Sequence, residues 1–205
     1  MTPRPRLASD EQIVAVTGRV IGRVGPGDFT LADVARELKI SPATLVQRFG
    51  SKRGLLLAVA ALASAGVDAC FAQARAAHRS PLEALISSFS DTTHWVESPE
   101  ALANHLAFLQ MDLTDPDFYR YALESGRKIE AGTVALLDEA IAAGELVACD
   151  TTRVARTLNA TFHGSMVAWA IFRQGKLQAW VRRDLETLLE PYRAKKNDRR
   201  TRRGR

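Results

Sequence analysis

Residues 29–59, FTLADVARELKISPATLVQRFGSKRGLLLAV, carry three helix-start signals in quick succession. Thr30 with Asp33 three positions on is a reciprocal capping pair. Ser41 is a cap followed by Pro42, at the one helical position where a missing N–H costs nothing. Ser51 opens a third helix that runs toward His78. The first two helices hold only about two turns each, with apolar faces at Leu31, Val34, Ala35 and Leu38 and then at Leu45 and Phe49. Isolated helices shorter than about 12–15 residues are marginal in water. These two must therefore lean on longer neighbours, one before them and one after. Two short helices joined by a tight turn and braced in this way make a helix-turn-helix, whose second helix enters the DNA major groove. Around Leu45 and Phe49 that second helix offers Thr44, Gln47 and Arg48, residue types that can contact a polyanion.

The flanks agree. Ser9 and Gln12 form another capping pair, and Ile13, Val16, Thr17, Val20, Ile21 and Val24 recur at three- and four-residue steps as one stripe. Gly25-Pro26-Gly27 is expected to stop that helix. Residues 1–53 carry nine Lys/Arg against five Asp/Glu, whereas residues 54–194 carry twelve against seventeen and residues 195–205 seven against one. A basic head on an acidic body predicts a head that meets a polyanion. The tail, KKNDRRTRRGR, has no apolar residue and is expected to be disordered.

The motif pieces TLADVARELKIS, SPATLVQRF and SKRGLL resemble the TetR-type transcriptional repressors. Ser41, Thr44, Leu45, Phe49 and Lys52 recur as in that family, over residues 9–59. The chain departs from the family pattern in four places: Lys39 where the turn has glycine, Ala43 where glycine is favoured, Val46 where a phosphate-binding tyrosine is usual, and Arg48 where histidine is common. The resemblance implies an all-α fold, with an N-terminal three-helix helix-turn-helix DNA-binding domain (residues 1–53, the helix-turn-helix proper about 30–49). A larger helical ligand-binding and dimerisation domain (54–194) and the basic tail (195–205) would follow. It implies a dimeric repressor that binds a palindromic operator in duplex DNA and is released by a small organic ligand. The alternative is an architectural or constitutive DNA binder with no such ligand.

Thr30, Ser41, Thr44, Gln47, Arg48, Ser51 and Lys52 are the candidate DNA contacts. Thr30, Ser41 and Ser51 stand at helix N-termini, where free N–H groups favour an anion. A lysine in a first helical turn, as at Lys52, opposes the helix dipole, so a phosphate partner would explain it. Beyond residue 80, Ser80-Pro81, Ser98-Pro99, Asp115-Pro116 and Asp150-Thr151 open helices expected to reach about Val96, Leu113, Gly144 and Gln174, and a last helix spans Leu177 to Tyr192. Trp95, His105, Phe108, Met111, Asp112, Phe162 and Met166 are the expected ligand-pocket residues, with Tyr119, Tyr121 and His163 within reach of them. Gly164, Ala168, Trp169, Phe172, Trp180, Leu185 and Leu188 are the expected dimer-interface residues on the last two helices.

Other chemistry has no foothold. No nucleotide-binding glycine loop, nucleophile elbow or two-histidine metal helix occurs, so neither a catalytic site nor a metal or cofactor is expected. Cys70 and Cys149 follow no metal or disulfide spacing and fit a reducing cytoplasm. MTPRPRLASDEQ lacks the apolar core of a signal peptide. Leu55–Val67, an uncharged and mostly apolar run, is too short to span a bilayer and is read as a helix buried on most sides.

Overall fold

The computed structural model describes residues 8–194, so expectations for residues 1–7 and for the 195–205 tail lie outside the described residues. The fold is all-α. Its helices are α1 (Asp10–Asp28), α2 (Leu31–Leu38), α3 (Pro42–Phe49), α4 (Lys52–Ala77), α5 (Pro81–Ser90), α6 (Pro99–Thr114), α7 (Pro116–Ala142), α8 (Thr151–Phe172) and α9 (Leu177–Leu189). Among the described residues there is no strand, only one isolated bridge between Leu146 and Arg193.

Two cores form. The first gathers Ile13, Val16, Val20, Ile21, Phe29, Val34, Ala35, Leu45, Leu55, Leu56 and Ala60 from α1–α4, together with Phe118 from far along the chain. The second joins α5, α7, α8 and α9 through Leu85, Leu137, Leu158, Val181, Leu185 and Leu189. The long helices α4 and α7 run side by side and tie the two together. At their starts Arg53 donates to Asp115 at 2.9 Å and to Asp117 at 2.8 Å. Farther along, Lys128 Nζ donates to the Ser64 carbonyl at 3.1 Å. A second tie runs from α6 to α1, where the Asn104 amide donates to the Gly22 carbonyl at 3.0 Å.

Gly25-Pro26-Gly27 breaks the first helical run as expected: Gly25 leaves helical geometry at φ +85° and ψ 157°, and one short further turn within α1 follows to Asp28. Two later boundaries differ from expectation. The helix expected to reach Val96 stops at Ser90, and a 3-10 turn follows over Asp91–Trp95. Hydroxyls compete for the backbone there: Thr92 and Thr93 donate to the carbonyls of Phe89 and Ser90, both at 2.7 Å, which tightens the last turn. Likewise α9 gives way at Leu189 to a 3-10 turn containing Pro191, which has no N–H to continue the helix.

Leu55–Val67 is not buried on most sides. Leu55, Leu56, Ala60 and Ser64 face inward, while Leu62 is 41% exposed. The reason is that α4 bridges two cores and has α7 along one flank, so small alanines suffice on the other. By length and composition α4 is long and apolar enough to cross a membrane, with a window of mean hydropathy 2.0, of which 22% is buried. The thirteen-residue run understated that window.

Candidate nucleic-acid interface

Caps hold the two short helices. The Thr30 backbone N–H donates to Asp33 Oδ2 at 2.9 Å, its hydroxyl donates to the same oxygen at 2.7 Å, and Asp33 N–H donates back to the Thr30 hydroxyl at 3.3 Å. Those bonds from Thr30 hold the Asp33 carboxyl below its ordinary range. Ser41 Oγ accepts from Thr44 N–H at 3.2 Å, and Ser51 Oγ accepts from Gly54 N–H at 3.0 Å. The turn between α2 and α3 places Lys39 in the left-handed region, φ 54° and ψ 40°, where glycine is the easy choice.

Helix α3 lies on α2 and α4 through Leu45, which is fully buried, and the half-buried Phe49. Its seating depends on a residue that periodicity does not flag. A Cβ at Gly54 would fall 1.9 Å from the Phe49 carbonyl oxygen, so only glycine lets the start of α4 meet the end of α3 this closely. Seated so, α3 turns Ala43, Val46 and Gln47 outward; all three are exposed.

Both cationic candidates have intramolecular partners. Arg48 donates to the Ala8 carbonyl at 2.5 Å and pairs with Asp10 at 2.6 Å, which pins the end of α3 to the start of α1. Lys52 Nζ donates to the Gly27 carbonyl at 2.6 Å and lies 4.6 Å from the centroid of the Phe29 ring. It thereby ties α4 to the α1–α2 connection, and its ammonium keeps two further donors. Thr44 shares a 2.9 Å hydroxyl contact with Ser41. Thr30, Ser41 and Ser51 act as caps, with their hydroxyls at exposed helix starts.

The expected pocket residues fall into three settings. Phe108 and Met111 pack against the head core, Phe108 meeting Phe118 edge-on at 5.8 Å. Phe162 and the buried Met166 belong to the body core, Phe162 lying 5.3 Å from Phe89. Trp95 and His105 meet at a tilt of 59°, ring centroids 4.6 Å apart, near the surface. Neighbouring protein and His163 push His105 down to about 4, a push that its solvent-exposed edge limits. Partial burial raises Asp112 to about 6. Tyr119 is exposed, and Tyr121 lies under Arg120 at 4.6 Å. Two open grooves lie elsewhere. One of about 430 Å³ runs between Asp150, Arg153 and Tyr192, and one of about 320 Å³ runs between Leu102, Leu106, Val167 and Ile171.

Of the expected interface residues, Trp169 and Leu185 serve the protomer's own core. Gly164 and Phe172 are exposed, Ala168, Trp180 and Leu188 half-buried, and Phe172 stacks on Trp180 at 6.0 Å. Burial raises both thiols, Cys70 and Cys149, which leaves them poor nucleophiles near neutral pH.

Residues 13–59 match the family model described as bacterial regulatory proteins, tetR family. No curated protein matches the chain. Solved structures do. A TetR-family transcriptional regulator from Agrobacterium tumefaciens aligns with TM-score 0.71 and 21% identity, over 90% of this chain and 97% of that one. One from Cytophaga hutchinsonii aligns with TM-score 0.72 and 18% identity, over 91% and 96%. A TetR transcription regulator from Haloarcula marismortui aligns with TM-score 0.70 and 17% identity, over 90% and 97%. At these identities the likeness is one of fold, and it extends through the body as well as the head.

Proposed function

We propose that this chain, whose residues 13–59 match the tetR-family model, is a DNA-binding transcriptional regulator of that family and acts in the cytoplasm as a dimeric repressor released from a palindromic operator by a small organic ligand. The observation that carries this reading is the seating of α3. Two capped eight-residue helices are braced so that one of them turns an exposed face outward beside exposed helix N-termini. No catalytic step is part of it.

A single α3 reads one half-site, so two chains are required. The face best suited to pairing is the outer side of α8 with the edge of α9. Gly164 and Ala168 allow close approach, and the Phe172–Trp180 stack, with Phe172 63% exposed, supplies aromatic area of the kind enriched at interfaces. A two-fold axis through that face makes an isologous contact. Helix α4 belongs to this folded unit rather than to a bilayer, since Arg53 and the Ser64 carbonyl bind it to α7.

A gradient of salt and a pair of duplexes test the reading. Purified protein should bind a near-palindrome, with half-site centres about 34–36 Å apart, more tightly than the same sequence with one half-site scrambled. Its affinity should fall steeply with salt. Equal affinity for both duplexes would remove the two-half-site operator. Operator binding that no compound in a broad small-molecule screen releases would favour a constitutive DNA binder instead.

A further inference from the structure

Resting on the DNA-binding reading, we infer that the recognition helix reads a thymine- and adenine-rich major groove through Val46 and Gln47, and that Arg48 positions this helix without reading a base. Residues 43, 46 and 47 are three and four apart, so they share one side of α3, opposite Leu45. All three are exposed, Val46 at 46%. That side is apolar apart from the Gln47 amide and carries no charge.

The only cation in α3 is Arg48, whose guanidinium is bonded to the Ala8 carbonyl and to Asp10. Swinging it toward a guanine edge would break both contacts and unpin α1. What faces the groove is therefore an isopropyl group and one amide. In the major groove only thymine presents a methyl, while the other bases present donors or acceptors that an apolar side chain would cover without replacing. A thymine methyl under Val46 removes apolar surface on both partners from water. The Gln47 amide matches adenine, accepting from N6 and donating to N7. Val46 and Gln47 are adjacent in sequence, so the two features should fall within a few base pairs of each other in each half-site.

The experiment uses the full-length protein and duplexes selected from a randomised pool. The selected half-site should contain a thymine whose replacement by deoxyuridine, which lacks only the methyl, weakens binding about four-fold, the worth of one buried methylene-sized group. In Val46→Ala the same replacement should cost little, because the contact is already gone. Placing 5-methylcytosine at that position should restore part of the affinity that plain cytosine loses. Gln47→Ala should flatten the preference at one A·T pair by roughly tenfold. Arg48→Ala should lower the thermal stability of the head and leave the base-preference profile unchanged, with Arg48→Lys recovering part of that stability.

Deoxyuridine without effect at every thymine, or loss of a guanine preference in Arg48→Ala, would overturn the inference while leaving DNA binding intact. A pool that yields no preferred duplex would overturn the operator reading and this inference with it.

Discussion

Helices α2 and α3 are eight residues each, whereas α7 is twenty-seven and α8 twenty-two, and the two groups are held by different means. The short pair is fastened at points: caps at Thr30 and Ser41, the Arg48 pin on α1, the Lys52 tie to Gly27, and one close backbone approach at Gly54. The long pair is fastened by area, with Leu136, Leu137, Ala140, Val154, Ala155 and Leu158 in one continuous core. A structure held at points presents a defined face but fails when one point goes. A structure held by area tolerates single losses and can shift its packing. On the proposed function, those are the needs of a reading head and of a responsive body respectively.

The comparison breaks most sharply at Phe118. It belongs to α7 by sequence yet is fully buried in the head core, against Phe108 and beneath the Arg53 guanidinium at 5.7 Å from its ring. Phe118→Ala should cost about 3–5 kcal/mol. The cost should appear as an early unfolding transition of residues 10–60 and as lost DNA binding, with the body's transition little moved. If hydrogen exchange showed the body opening first instead, the head would be more self-sufficient than its core suggests.

Gly54→Ala is next. The added methyl would overlap the Phe49 carbonyl, so α3 must lift from α4 at a cost of about 2–3 kcal/mol. Gly126→Ala on α7 is the matched control in the body, since nothing lies within 4 Å of a Cβ there. Denaturant midpoints should separate the two variants clearly, and equal midpoints would mean that the head can relax around a methyl. Lys39→Gly should act in the opposite sense. Removing Cβ from a left-handed residue relieves about 1–2 kcal/mol, less what glycine adds to the freedom of the unfolded chain. A small rise in midpoint is expected, and a fall would show that the Lys39 side chain does something for the fold.

The same contrast explains what could be read from sequence. The caps were legible because donor and acceptor lie three residues apart, as in Ser9–Gln12 and Thr30–Asp33. The partners of Arg48 and Lys52 were not, because Asp10 and Gly27, 38 and 25 residues away in sequence, come close only once the head has folded. Gly54 gave no sign, since a glycine near a helix start has no periodicity. In the body the helix starts at Pro81, Pro99, Pro116 and Thr151 were legible from their Ser or Asp caps. Which neighbour covers each apolar face was not. Periodicity places Phe108, Met111, Phe162 and Met166 on stripes, but it does not say that the first two pack against the head and the others against α5 and α9.

The smallest expected effect lies in the body and probes its polar residues. Asp112 sits half-buried on α6, and its carboxyl is raised from 3.8 to about 6 by desolvation. A carboxyl raised on folding is a cost of the charged form. That cost is complete above pH 6 and fades as pH falls toward 3.8, because the folded state then holds a proton that the unfolded state has yet to bind. His105 works in the opposite sense across much of the same window. Its lowered pKa means that the unfolded chain takes up a proton first, so falling pH destabilises the fold through this group. The two slopes partly cancel, and the parent protein should look flatter between pH 4 and 6 than either group alone would make it. Asp112→Asn removes one of them. The variant should be more stable than the parent by about 1 kcal/mol at pH 7, allowing for the water that reaches the carboxyl, with the advantage vanishing near pH 4. It should also lose stability more steeply than the parent as pH falls through 6. Paired denaturant titrations at pH 7, 5.5 and 4 decide the matter. An advantage independent of pH would assign the gain to packing, and a variant less stable at pH 7 would mean that the Asp112 charge has a partner on α6 or α7.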